Sequence, residues 1–254
     1  MSAKSVIVTG GAGGMGSVAT EILASRGVNV LCVDRDPDAL AALSERLTGS
    51  DGRVLTTVVD IGNPDEVQSM AERAASECGG LDGVFNIAGF EGTLAPIDQT
   101  TIEEFDEVVR SNIRGTWLTM KYTLPHLVAR GGGVIVNTGS YQSLHGKANC
   151  AAYSGAKHAI VGMTKSIALE YATSNVRANV VCPGAMDTRM IRTMFERLAP
   201  GDPSSGERAV IADIPQGRMA QPTELATTGI WLLLDAPEHI TGQVIAVDGG
   251  KSAA

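Results

Sequence analysis

The chain has 254 residues, 44% hydrophobic and 19% charged, with 30 glycines, which suits an α/β protein with many tight turns and a sizeable core. A formal net charge of -8, without blocks of like charge, argues against nucleic acid or an anionic membrane as the main partner. No apolar run approaches the ~18 residues that span a bilayer, and Cys32, Cys78, Cys150 and Cys182 form neither a Cys-x-x-Cys pair nor a zinc spacing.

In chain order, Ser5 to Val8 predicts a short buried strand, followed by Thr9-Gly10-Gly11-Ala12-Gly13-Gly14-Met15-Gly16 and a helix that Gly27 ends. Strand, glycine loop and helix N-terminus make a phosphate cradle, because glycines admit close backbone approach and the helix dipole favours negative charge. The strand Val28–Val33 leads into Asp34, a carboxylate placed about twenty residues beyond the glycines, where it accepts from the ribose hydroxyls and repels a 2′-phosphate. NAD is therefore expected over NADP, although the neighbouring Arg35 could pair with such a phosphate. A helix over Pro37–Leu47, capped by Asp36, a strand over Val54–Val59 and a helix over Pro64–Cys78 follow. Asp60 ends its strand as Asp34 does and is placed to face the adenine amine, with Ile61 beside it.

A strand at Val84-Phe85 runs into Asn86-Ile87-Ala88-Gly89, small residues that let backbone lie close to a cofactor ribose or simply turn. Thr101 to Glu104 is a capping box that opens a long helix bearing Asn112, and Pro125 is expected to kink or end it. The strand Val134–Thr138 delivers Ser140, and the helix bearing Tyr153 and Lys157 runs on through Tyr171. These last two are four apart and so share a helix face, where an ammonium lowers a phenol pKa from ~10 towards working pH. A strand over Arg177–Val181, a flap rich in Pro, Gly and Ser over residues 186–212, a helix over Thr223–Leu234 and a strand over Gln243–Val247 complete the pattern. The balanced charges of the flap read as a solvated face. Strands alternating with helices predict a parallel sheet covered on both faces, and no linker divides the chain.

By order and spacing, Thr9-Gly10-x-x-x-Gly14-x-Gly16, Asn86-x-Ala88-Gly89, Asn112, Ser140, Tyr153-x-x-x-Lys157 and Pro183-Gly184 with Thr188 resemble the short-chain dehydrogenase/reductase family over essentially the whole length. The resemblance implies a Rossmann-like, doubly wound seven-stranded sheet in one catalytic domain over 1–254, with the cofactor-binding half at about 1–150. It implies that Tyr153 is the general acid/base, Ser140 polarises the substrate oxygen, and Lys157 lowers the tyrosine pKa and holds the nicotinamide ribose. It further implies that Asn112 holds a water linking Lys157 to solvent and that Thr188 bonds the nicotinamide carboxamide. Cofactor contacts are expected at Gly10, Gly14, Met15, Gly16, Asp34, Asp60, Ile61, Asn86, Ala88, Gly89, Pro183 and Gly184, as well as at Tyr153, Lys157 and Thr188. Ile87, Gly139 and Met15 depart from the commonest family residues without removing a catalytic group.

For substrate, Gln142 and His145 are polar candidates, and Met186 and Met190 belong to a stripe that fits either a pocket roof or an ordinary core face. The pattern looks closest to family members that act on cyclic or aromatic alcohols, diols and steroids. Three readings stand: an NAD-dependent secondary-alcohol dehydrogenase, an NADPH-dependent 3-oxoacyl-carrier-protein reductase, and a non-catalytic dinucleotide sensor. A cytoplasmic homotetramer without a metal is expected, its helices around Asn112 and Tyr153 pairing between subunits.

Overall fold

The computed structural model describes residues 3–253, apart from the side chains of Arg189, Met190 and Arg197. Seven parallel strands form one sheet in the order β3-β2-β1-β4-β5-β6-β7. They are β1 (Ser5–Thr9), β2 (Asn29–Asp34), β3 (Val54–Val58), β4 (Gly83–Asn86), β5 (Gly133–Thr138), β6 (Val176–Pro183) and β7 (Val244–Val247). Alternation along each strand sends side chains to both faces. Val6, Val8, Val30 and Cys32 join a core beneath α1 (Gly14–Ser25), α2 (Pro37–Arg46) and α9 (Pro222–Leu234). Ile7, Leu31 and Val33 join the opposite core, beneath α3 (Pro64–Glu77), α5 (Gly115–Ala129) and α6 (Ala151–Glu170). Phe85 is wholly buried, and a Cβ on Gly229 would overlap its ring, so that glycine sets how closely α9 lies on the sheet.

The chain leaves β1 in one direction through β2 and β3 and in the other from β4 onward. A crevice opens at this reversal, beyond the carboxyl ends of β1 and β4. A buried polar ladder holds those ends in register: Thr9 meets Asn86, Asn86 Nδ2 donates to Asn137 Oδ1 at 2.7 Å, and Asn137 Nδ2 donates to Thr164 at 2.8 Å. All four cysteines are buried and unpaired.

Two expectations are sharpened. Pro125 does not end its helix. The stretch opened by the Thr101–Glu104 capping box is α4 (Ile102–Val108), a π turn over Val109–Arg114, and then α5, which continues through Pro125 to Ala129. Leu118, Leu124 and Leu127 bury one continuous face on both sides of the proline, and this packing outweighs the lost amide hydrogen bond. The Pro-, Gly- and Ser-rich flap over residues 186–212 is helical for most of its length. It folds as α7 (Arg189–Leu198) and α8 (Pro203–Ala212), the latter capped by Asp202. Ile191, Met194 and Phe195 are buried there against Leu94, Val210 and Met219, while Arg192 pairs with Asp187 at the surface.

Candidate active site

The glycine turn is shaped by backbone. Gly10 adopts φ +64°, where a Cβ would press on the Ala88 backbone at 2.8 Å, and a Cβ on Gly16 would overlap the Gly10 carbonyl. Gly13 caps α1 without a side-chain bond, so the first amides of the helix face the crevice as an anion site. At the end of β2 the Asp34 carboxylate accepts from the amides of Ala12 (3.1 Å), Arg35 (2.8 Å) and Asp36 (3.3 Å), which fixes it beside the turn. At the end of β3, Asp60 receives Arg110 Nη1 at 2.5 Å and the Gly62 amide at 2.9 Å.

At the other end, β5 runs out into Ser140, whose hydroxyl accepts from the Gln142 amide at 3.2 Å. Ser143 clamps this strand end to α6, accepting from the Ser140 amide at 3.0 Å and donating to the Lys157 carbonyl at 2.8 Å. Tyr153 and Lys157 lie one turn apart on α6, with Lys157 Nζ 5.5 Å from the Tyr153 ring centre. The ammonium of Lys157 donates to the Thr138 carbonyl at 2.9 Å and is almost fully buried. Burial pushes it down to about 8.

The expected lowering of the Tyr153 pKa is not found in the protein alone. Burial pushes the phenol well above its ordinary value, the Glu91 charge adds to this, and only a hydrogen bond with Ser140 opposes it. Lys157 spends its nearest hydrogen bond on Thr138, and desolvation wins. Nearby Tyr141 is likewise pushed up to about 12, chiefly by burial.

One cleft of about 520 Å3 joins the two ends. Gly10, Gly14, Met15, Gly16, Asp34, Asp60 and Ile61 line its near part, and Ala88, Gly89, Pro183, Gly184 and Thr188 its middle. Ser140, Gln142, Tyr153, Lys157 and Met186 line the far part. Three expected residues do not line it. Asn86 belongs to the cross-strand ladder, because its register opposite Asn137 engages its amide with that neighbour on the sheet face that α5 and α6 cover. His145 lies outside because the 3-10 turn at Tyr141–Ser143 presents Tyr141 and, further on, Lys147 to the cleft instead.

Asn112 is fully buried in the π turn behind the wall, where its amide pins Phe90 by bonds of 3.0 and 2.7 Å and also donates to the Val108 carbonyl. A Cβ on Gly89 would lie 2.9 Å from Asn112 Oδ1 and 3.3 Å from Lys157 Nζ, so a bare backbone separates these two groups. The Met190 side chain lies outside the described residues. Gln142 is locked by Ser154, which donates to its Oε1 at 2.7 Å.

Arg110, Tyr141, Lys147 and Lys251 line the cleft without having been singled out. Lys251 lies 4.6 Å from the Tyr141 ring centre, 110 positions away in the chain, and 3.3 Å from Asp213, a meeting that no local motif signals.

A dinucleotide suits this cleft on two observations. At Gly10, Gly11 and Gly16 the cradle has no room for a Cβ, and Thr138 Oγ1, in the cleft wall, is the buried side-chain polar atom left without a partner among the described residues. Residues 10–252 match a family model described as enoyl-(acyl carrier protein) reductase. The chain belongs to the short-chain dehydrogenase/reductase family.

It is 34% identical to levodione reductase of Leifsonia aquatica, over 98% of this chain and 94% of that one. It is also 34% identical to a 2,5-dichloro-2,5-cyclohexadiene-1,4-diol dehydrogenase of Sphingobium indicum, over 100% and 98%. A crystal structure of levodione reductase superposes with a TM-score of 0.96, at 34% identity, covering 100% of this chain and 99% of that one. This short-chain dehydrogenase/reductase is an oxidoreductase that interconverts alcohol and ketone at CH–OH groups with a nicotinamide cofactor. Among the described residues no helix is long and apolar enough to cross a membrane.

Proposed function

We propose that the protein is an NAD-dependent dehydrogenase of a secondary alcohol on a cyclic or aromatic skeleton, a dihydrodiol or steroid-like alcohol included, running towards the ketone. The observation that carries this reading is a single cleft with the Asp34 carboxylate at one end and Ser140, Tyr153 and Lys157 at the other. Asp34, already oriented by three amides, would accept from ribose hydroxyls and repel a 2′-phosphate, which also weighs against an NADPH-dependent carrier-protein reductase. When bound, the nicotinamide takes up or supplies the hydride and, oxidised, brings positive charge into the cleft. Positive charge there opposes the burial of Tyr153 and draws its pKa down.

Tyr153 as phenolate then takes the proton of the substrate hydroxyl while the carbinol C–H leaves as hydride and the C=O bond forms. Ser140 donates to the same oxygen and stabilises its developing charge. Lys157 completes the charge balance and holds the ribose. Asn112, across Gly89 from Lys157, keeps one Oδ1 lone pair free to hold a relay water. Thr188, with Pro183 and Gly184 before it, holds the carboxamide. We assign the whole chain to one catalytic domain, with cofactor contacts concentrated in residues 1–150 and α7 and α8, within 186–212, closing the substrate end.

Two kinds of support favour a cyclic substrate: relatives named for ring compounds, and an apolar far wall of Met186, Ile191, Met194 and Leu198. The test is a panel of cyclic alcohols, diols, aryl carbinols, steroids and linear alcohols, followed by reduced-nicotinamide absorbance with NAD and NADP in parallel. Turnover of ring alcohols with NAD is the expected result. Reduction of 3-oxoacyl-carrier thioesters with NADPH, without turnover of ring alcohols on NAD, would refute the reading.

We also propose a cytoplasmic homotetramer. Phe105, Trp117 and Leu169, on α4, α5 and α6, are 49%, 46% and 83% exposed, an apolar surface that a second copy would cover. A monomer in solution sizing at micromolar concentration would contradict it.

A further inference from the structure

We propose that Arg110 is a positioning residue for base recognition, holding the Asp60 carboxylate in the orientation that reads the 6-amino group of adenine. This rests on the reading of the cleft as an NAD site. Arg110 begins inside the π turn and lines the near part of the cleft together with Asp60 and Ile61. Its three donor groups are all engaged with carboxylates. Nη1 donates to Asp60 Oδ2 at 2.5 Å, while Nε and Nη2 donate to the two Glu107 oxygens at 2.8 and 3.0 Å. The fork therefore cannot swing without breaking the Glu107 pair, and Glu107 anchors it one turn back along the same helical stretch. Gly62 makes the approach possible: a Cβ there would overlap the guanidinium, and the Gly62 amide itself donates to Asp60 Oδ1 at 2.9 Å.

Asp60 thus receives one hydrogen bond from the protein on each oxygen, which leaves an acceptor lone pair on each and no donor. Burial raises the Asp60 pKa, but the bonds from Arg110 and Gly62, with the charge of Arg35, outweigh it and hold the group below the usual carboxylate range. A carboxylate fixed as acceptor matches an amino group. It meets the 6-oxo group of hypoxanthine lone pair to lone pair. Base identity at position 6 is therefore read through a carboxylate that Arg110 orients, and an Asp60 freed from Arg110 can turn towards solvent.

The experiment measures dissociation constants by isothermal titration calorimetry, and kcat and KM, for NAD and for nicotinamide hypoxanthine dinucleotide. The proteins are the wild type, Arg110→Met, Arg110→Lys, Asp60→Ala and the double variant. A hydrogen bond to a charged group predicts that the wild type favours adenine by roughly tenfold or more. In Arg110→Met that ratio falls to near unity, with the loss carried by Kd and KM for NAD, and Arg110→Lys restores part of it. Asp60→Ala abolishes the preference, and adding Arg110→Met changes the ratio no further.

The proposal is overturned if the wild type shows no base preference, or if Arg110→Met weakens both dinucleotides by the same factor. It is also overturned if the Arg110→Met effect persists at full size without Asp60, which would mean direct contact with the base. The 2′-phosphorylated pair is titrated alongside. Tighter binding of that pair would reject the NAD reading, while the adenine-to-hypoxanthine ratio within it would still judge Arg110.

Discussion

The two ends of the cleft are built differently. The near end is shaped first by main chain: a glycine turn with no room for a Cβ at Gly10 or Gly16, a bare helix N-terminus, and the Asp34 and Asp60 carboxylates that backbone amides hold in place. Its phosphate cradle follows from one βα unit. The far end is made of side chains that converge from the loop after β5, the helices α6 and α7 and the chain after β7, as Lys251 against Tyr141 and Met194 against Lys147 illustrate. A main-chain site tolerates almost no substitution and serves an invariant part of a cofactor. A side-chain site can be re-lined to suit a different substrate while the chemistry between the two ends stays in place.

Substitutions at the junction and at the two ends should therefore differ in kind. Ser140→Ala removes one donor to the developing charge and should lower kcat by roughly 10²–10³-fold with the Kd for NAD little changed, measured by steady-state kinetics beside calorimetry. Gly16→Val forces branched carbons into the Gly10 carbonyl and should weaken NAD binding more than tenfold, with a loss of about 1–3 kcal/mol in denaturant unfolding. If it binds NAD normally, the near end is not the rigid main-chain cradle described.

Lys157 gives a pH signature with a definite sign. Its folded pKa of about 8 lies below its unfolded value, so between these the unfolded chain binds more protons and stability rises with pH. Relative to Lys157→Met, the wild type should gain up to ~2 kcal/mol from pH 8 to about 10, and a flat or falling difference would contradict the buried, desolvated amine. Tyr153 works in the opposite sense above its ordinary pKa, which confines the window at its upper edge. Asp34→Ala should shift the NAD-to-NADP ratio of kcat/KM by about tenfold towards NADP, the scale of one charge-assisted hydrogen bond. Smallest of all, Met194→Ala should change selectivity among ring sizes by roughly tenfold or less, the low end for a pocket methylene, because Ile191 and Leu198 remain in the cleft lining.

The same division governs what could be read in the sequence. Strand, glycines and helix of the near end are contiguous, as are Tyr153 and Lys157, and local rules suffice for them. Asn86 is instructive because it stands outside the cleft lining: its amide is engaged by Asn137, fifty-one residues away, which only strand order reveals. His145 stands outside the lining for the opposite reason, a local one: after the short turn at Tyr141–Ser143 it is Lys147 that lines the cleft. The elevated Tyr153 pKa was out of reach because the i,i+4 rule sees the ammonium and not the burial or Glu91. Pro125 shows tertiary packing overriding a local rule.

The most direct test of the account is Tyr153→Phe, assayed for dinucleotide binding by calorimetry and for turnover of a ring alcohol by absorbance. The account predicts near-wild-type NAD affinity with turnover reduced by roughly 10²–10⁴-fold across the pH range. Turnover within a few-fold of wild type would show that the proton is carried by another group.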